Sequence, residues 1–197
     1  MLEGIRALKS ITLTILLSLE YLSMRFSSLF VVSAFAFSAL ALPAGDFSPQ
    51  IILLSDNVEA ATTAANGFTG TVVTLQPFQD RAQALIQATK NAKNVLAQYP
   101  VTVKFTLTES SANLEASKKW VNNFSQLVTA LVNKKNLFEK IAGGTMTVHK
   151  DITDIAPLAL AVVEGLFVRT PDEHIASAKK LRDQAIADFT RLSVAFP

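Results

Sequence analysis

Two histidines are the only imidazoles in this 197-residue chain, and each stands beside carboxylates. His149 precedes Asp151 and Asp154, which share a face if the segment is helical, and His174 follows Asp172-Glu173 directly. Either group could supply a general base with an acidic neighbour. The plainer role is helix initiation, where acidic side chains are favoured by the helix dipole. Nothing in the sequence completes a catalytic set. No Gly-x-Ser-x-Gly elbow, phosphate-binding glycine loop or His-Glu-x-x-His pair occurs. The absence of cysteine excludes disulfides, thiolate metal sites and cysteine nucleophiles. No metal or cofactor is called for, and the expectation is a binding protein with no enzymatic role.

Charge and composition narrow the partner. Eighteen basic against sixteen acidic residues give a formal net charge of +2, and half of the chain is apolar. That balance does not suit a nucleic-acid binder, which must neutralise several phosphates. The paired lysines 118–119, 134–135 and 179–180 are the only concentrated charge, and they read as solvated helix faces or as an anchor for an acidic head group. Asn123-Phe124-Ser125 forms an N-glycosylation sequon, with Asn123 the acceptor, although it falls within a predicted helix.

The elements that must carry these residues are helical. Residues 1–41 read as a leader: Met24-Arg25 opens a secretory signal peptide, an apolar run extends to Leu40, and Ala39-Leu40-Ala41 offers a cleavage site. Met24 is then the expected true start. Residues 42–197 form the single mature domain, with no transmembrane anchor and no C-terminal lipid-anchor signal. Five stripes of alternating three-and-four spacing follow. The first runs from Ile51 to Phe68 behind Ser48-Pro49, read as an N-cap and first helical proline, and the second from Phe78 to Tyr99, stopped by Pro100. The third runs from Leu114 to Phe138 and on to Ile141. The fourth runs from Val148 to Leu166, where Pro157 should kink or split it. The fifth runs from Ile175 to Phe196 behind a Thr170–Glu173 capping box. Residues 101–108 alternate with period two; their one candidate strand partner is 71–75, and we read them as an extended connector laying Val101, Val103 and Phe105 on the bundle. The expected fold is all-α: an antiparallel bundle of about five amphipathic helices.

Three pieces of the chain resemble the fungal hydrophobic surface-binding protein A family, which includes cell-wall galactomannoproteins. Val58–Gly70 looks like that family's first helix running into an aromatic and a glycine. Leu131–Lys140 resembles its apolar helix ending in a double lysine and Leu-Phe, and Ala187-Asp188-Phe189 its closing segment. The resemblance spans roughly residues 46–196. It departs at the Val101–Thr108 connector, at Pro77, and in lacking a Ser/Thr-rich stalk, which favours release into the medium over wall anchoring. It implies a secreted helical protein that binds hydrophobic surfaces or lipids such as fatty acids. A structural wall or host-interface protein with a filled core is the alternative. For a lipid site the expected interior residues are Leu85, Phe124, Val128, Leu131, Ile155, Val162, Ile186 and Phe189. Periodicity by itself does not choose between a filled core and a cavity.

Overall fold

The computed structural model describes residues 46–197; the leader and its cleavage site lie outside the described residues. Five helices, α1 (Ser48–Gly67), α2 (Val72–Leu96), α3 (Leu107–Phe138), α4 (Gly144–Arg169) and α5 (Ile175–Ala195), account for nearly all of them, and no strand occurs among the described residues. Successive helices reverse direction. In space they close into a ring of order α1-α2-α4-α5-α3, in which α3 and α4, consecutive in sequence, barely touch. Ring neighbours α1/α3 run parallel: Asn123 meets Ser55 and Lys134 meets Asn66, a constant offset of 68 residues. None of the described helices is long and apolar enough to cross a membrane.

Several helix ends differ from their sequence-based expectation, each for a local hydrogen-bonding reason. Ser48 is not the N-cap of α1. Phe47 takes that place, and the acceptor comes from Asp46, whose carboxylate receives the Ser48 amide at 3.0 Å and its hydroxyl at 2.6 Å. Residues 71–75 are no strand but the start of α2, because Thr71 and Thr74 form a reciprocal capping box. Pro77 and Pro157 both lie inside helices that continue past them. The carbonyls their missing N–H groups leave over belong to Val73 and Thr153, exposed residues within reach of water. Pro157 therefore does not split α4. At α5, Thr170 does not cap: its hydroxyl donates back to the Leu166 carbonyl at 3.0 Å, closing α4, and one 3-10 turn (Asp172–His174) intervenes.

The 97–106 connector turns before it extends. Val103 N donates to Pro100 O at 3.1 Å, so the period-two alternation never applies and Val101 and Val103 stay 65% and 57% exposed. Only Phe105 of the three reaches the core.

The two ends of the ring are closed differently. Where α1, α3 and α5 finish, Phe138 is fully buried against Phe68 (centroids 4.3 Å), Phe78 (5.6 Å) and Phe196 (6.0 Å). Lys134 donates to the last carbonyls of α1, Asn66 O at 3.0 Å and Phe68 O at 2.9 Å. These contacts are the physical content of the Phe-Thr-Gly and Lys-Lys-Asn-Leu-Phe pieces. At the opposite end Arg169, 3% exposed, donates to the carbonyls of Gly165, Leu96 and Tyr99, tying the close of α2 to the close of α4. Burial lowers its pKa, yet its partners are the C-terminal carbonyls of two helices, where a cation is favoured. Its own carbonyl receives Phe105 N at 2.8 Å. Arg169→Met should therefore lower unfolding free energy by about 2–4 kcal/mol, measured by urea denaturation. A loss under about 0.5 kcal/mol, the range of an ordinary surface substitution, would contradict this role.

Candidate functional site: two chambers between the helices

A ring of five helices has an axis to fill, and here much of the buried apolar surface is alanine: Ala61, Ala65, Ala82, Ala88 and Ala92 on α1 and α2 alone. Small side chains let helices approach but leave space between them. Two chambers result. The first lies toward the Arg169 end, between α1, α3, α4 and α5, and encloses about 590 Å³ counting the part open to solvent. About 50 Å³ of it has room for the centres of water molecules. Ile51, Leu54, Trp120, Val162 and Leu166 give it an apolar wall. The second is lined by side chains from all five helices and encloses about 430 Å³ on the same measure. Trp120 faces the first chamber and Phe124 the second, and the two rings stack with centroids 5.9 Å apart. That stack is a shared wall.

Each chamber holds a buried polar group without a full set of partners. In the first it is Asn113, 5% exposed, whose side-chain oxygen and nitrogen both lack a hydrogen-bond partner. Ser110 and Arg182 face the same space. Ser110 Oγ lies 3.0 Å from His174 Nδ1, while Arg182 pairs with Glu164 at 2.6 Å and covers the Phe167 ring at 5.0 Å. In the second chamber it is Asp151, 9% exposed. Gln83 Nε2 donates to its Oδ1 at 3.0 Å and its Oδ2 has no partner. Burial above all, with a smaller push from Asp154, raises the Asp151 pKa to about 6, against the opposing influence of Lys150 and Gln83.

The residues expected from sequence fall in three groups. Leu85, Phe124, Leu131 and Ile155 line the second chamber and Val162 the first. Val128 and Phe189 are buried in the core, Phe189 against Phe124 at 4.5 Å, and face neither chamber. Ile186 does not belong to the interior: it is 36% exposed. It follows the buried Ala185 by one position, about 100° round the helix, and so leaves the stripe.

The acid–base grouping around His149 does not assemble. Its Nδ1 donates to the Phe196 carbonyl at 3.0 Å, Asp154 turns outward to Lys150 at 2.5 Å, and Asp151 points into the bundle. Asp151 is therefore no solvated helix-start carboxylate. Among the lysine pairs, Lys118, Lys119, Lys135 and Lys179 make exposed ion pairs, while Lys134 caps α1. The sequon is drawn into packing: Asn123 Nδ2 donates to Ser55 Oγ at 3.0 Å and Ser125 Oγ to the buried Asp188 at 2.5 Å.

Asn113 and the inward turn of Asp151 were missed in the sequence, although both sit on apolar stripes, at 113-116-120-124 and 148-151-155. A polar residue at a stripe position was the available signal.

Fold and cavities together define the class: an all-α bundle with apolar chambers between its helices. The chain belongs to the hydrophobic surface binding protein A family, whose model matches residues 46–161. No curated protein matches it significantly. Among solved structures it is similar to AFMP4P in complex with palmitic acid, at 17% identity over 79% of this chain and 100% of that one, with a TM-score of 0.71. It is also similar to ligand binding domain 2 of the Penicillium marneffei MP1 protein complexed with multiple arachidonic acids (18% identity, 80% and 97% coverage, TM-score 0.69). Domain 1 of that protein, complexed with arachidonic acids, gives 22% identity, 73% and 94% coverage and a TM-score of 0.63. At such identities the likeness establishes a shared fold.

The Asp151 carboxyl has a signed consequence. Its folded pKa of about 6 exceeds the ordinary 3.8, so its contribution to stability is present at pH 4 and lost as pH rises through 6. Asp151→Asn should thus stabilise the protein at pH 7 by roughly 1–3 kcal/mol and change little at pH 4, measured by denaturation at both. An equal effect at the two pH values would contradict the assignment.

Proposed function

We propose that this protein is a secreted, non-enzymatic binder of fatty acids or similar single-chain lipids, held between its helices. The observation that carries the reading is the Asn113 amide, buried and unpartnered in an otherwise largely apolar chamber. An amide nitrogen left without an acceptor is costly, and a carboxylate head group would satisfy it. Arg182, on the same chamber, is paired with Glu164 at 2.6 Å and supplies a countercharge only if it turns from that partner to the head group. The bound palmitic and arachidonic acids of the structural relatives support the same ligand class. The tail would be driven by burial worth about 0.8 kcal/mol per CH₂. Because the open space is small, a long chain enters only if side chains along the Trp120–Phe124 wall repack.

A second mode, adsorption to hydrophobic surfaces, is favoured by one observation. Val101, Val103, Leu107 and Val168, all more than 40% exposed, gather where α2 and α4 end and α3 begins. That is the end nearer the first chamber, so a lipid surface docked there would lie beside the entry. Export through the Met24 leader and release into the medium belong to this proposal too, with retention at the cell wall as the alternative. Glycan attachment at Asn123 would have to precede folding, since Ser55 holds its amide afterwards.

Trp120 is the chain's single tryptophan and faces the chamber, so its emission reports on occupancy. Titration with palmitate should give a saturable change in Trp120 fluorescence together with a rise in melting temperature. Asn113→Leu should weaken binding about tenfold or more, the value of one lost charge-assisted hydrogen bond. Unchanged emission and melting temperature at saturating palmitate would contradict the proposal.

A further inference from the structure

The second chamber differs from the first in the polarity of its one hydrogen-bonding group. Apart from Asp151, its lining is apolar, contributed by residues such as Ala82, Leu85, Phe124, Leu131 and Ile155. Asp151 reaches it from α4 and is nine-tenths buried. Gln83 occupies Oδ1; Oδ2 is buried and takes no hydrogen bond. An ionised carboxylate can only accept, so this atom asks for a donor, whereas the first chamber's Asn113 amide, unpartnered at both Nδ2 and Oδ1, can also offer one. The surrounding charge does not neutralise it. Lys150, the adjacent cation, is engaged with Asp154 at 2.5 Å on the exposed side of α4. A fatty-acid carboxylate placed here would set two acceptors of like charge against each other in an apolar space, which is strongly disfavoured.

We infer that the chamber around Asp151 is a second lipid site, selective for a single-chain amphiphile whose head group donates hydrogen bonds, a long-chain amine or alcohol, over a fatty carboxylate. The inference rests on the reading of the protein as a lipid binder. It separates the two chambers by head group: the Asn113 amide, with both its nitrogen and its oxygen unpartnered, can serve an acceptor head, whereas the Asp151 carboxylate serves donor heads alone. An ammonium group meets Oδ2 with both a hydrogen bond and an opposite charge; a hydroxyl supplies the hydrogen bond alone. The order of preference is therefore amine, then alcohol, then carboxylate.

Calorimetric titration of the secreted protein at pH 7 with decylamine, decan-1-ol and decanoate tests this. The amine should bind at the Asp151 chamber at least tenfold more tightly than decanoate does there, in a mode that survives Asn113→Leu. Asp151→Asn keeps the size of the side chain and can still bond Gln83; it should weaken the amine at least tenfold while decanoate binding at the Asn113 chamber stays within twofold. Ala82→Leu, which fills the chamber from α2, should remove the same mode. Amine affinity indifferent to Asp151→Asn and Ala82→Leu, or no tighter than that of decanoate in the Asn113→Leu variant, would overturn the inference. If decanoate binds with a Trp120 response and the amine does not bind, the inference falls and the fatty-acid reading stands. If neither ligand binds, both fall.

Discussion

Five helices closed into a ring must fill their common axis from all sides, and everything distinctive in this molecule follows from how incompletely that is done. A pair or a triplet of helices can interdigitate its stripes to crystal-like density. Five cannot do so with alanine at many of the inward positions of α1 and α2. The space that remains is divided into two chambers by the stacked rings of Trp120 and Phe124 rather than spread as small voids. Ring order also explains the connections. Short links join the ring neighbours α1 to α2 and α4 to α5, but the 97–106 connector must carry the chain across an end of the bundle, where Arg169 pins it.

The closures at the two ends then give the bundle a direction. Three phenylalanines around Phe138 make one end dry and tightly packed. At the other, a buried guanidinium gathers the carbonyls of two helix termini, and a chamber with a polar fringe opens beside it. Aromatic packing resists opening because its contacts are lost together. A network of hydrogen bonds to loop carbonyls can be remade after a small movement. For the proposed ligand, this physical asymmetry favours entry at the Arg169 end.

Much of this was legible in the sequence and the rest has identifiable reasons. Periodicity located all five helices, since each buries one stripe, and the fifth was clearest because Ala178, Ala185, Phe189 and Leu192 keep strict spacing. Residues 71–75 were not recognised as a helix start, because their β-branched side chains equally suit a strand, whereas here the Thr71 and Thr74 hydroxyls cap. Val101 and Val103 misled because alternation was read across a turn. For the site, apolar residues on the stripes were recognisable, but which faced space and which faced neighbours depends on ring closure, a property of five helices at once. Asn113 and Asp151 were visible only as exceptions to their stripes, and Arg169 only through contacts about 70 residues away.

The central claim is that the interior is a lipid site rather than a filled core. Native mass spectrometry of the protein, purified from a secreting host without detergent, addresses it most directly. The account predicts a discrete adduct of fatty-acid mass that organic extraction removes and added palmitate restores. A bare protein mass that stays bare in the presence of palmitate would contradict it.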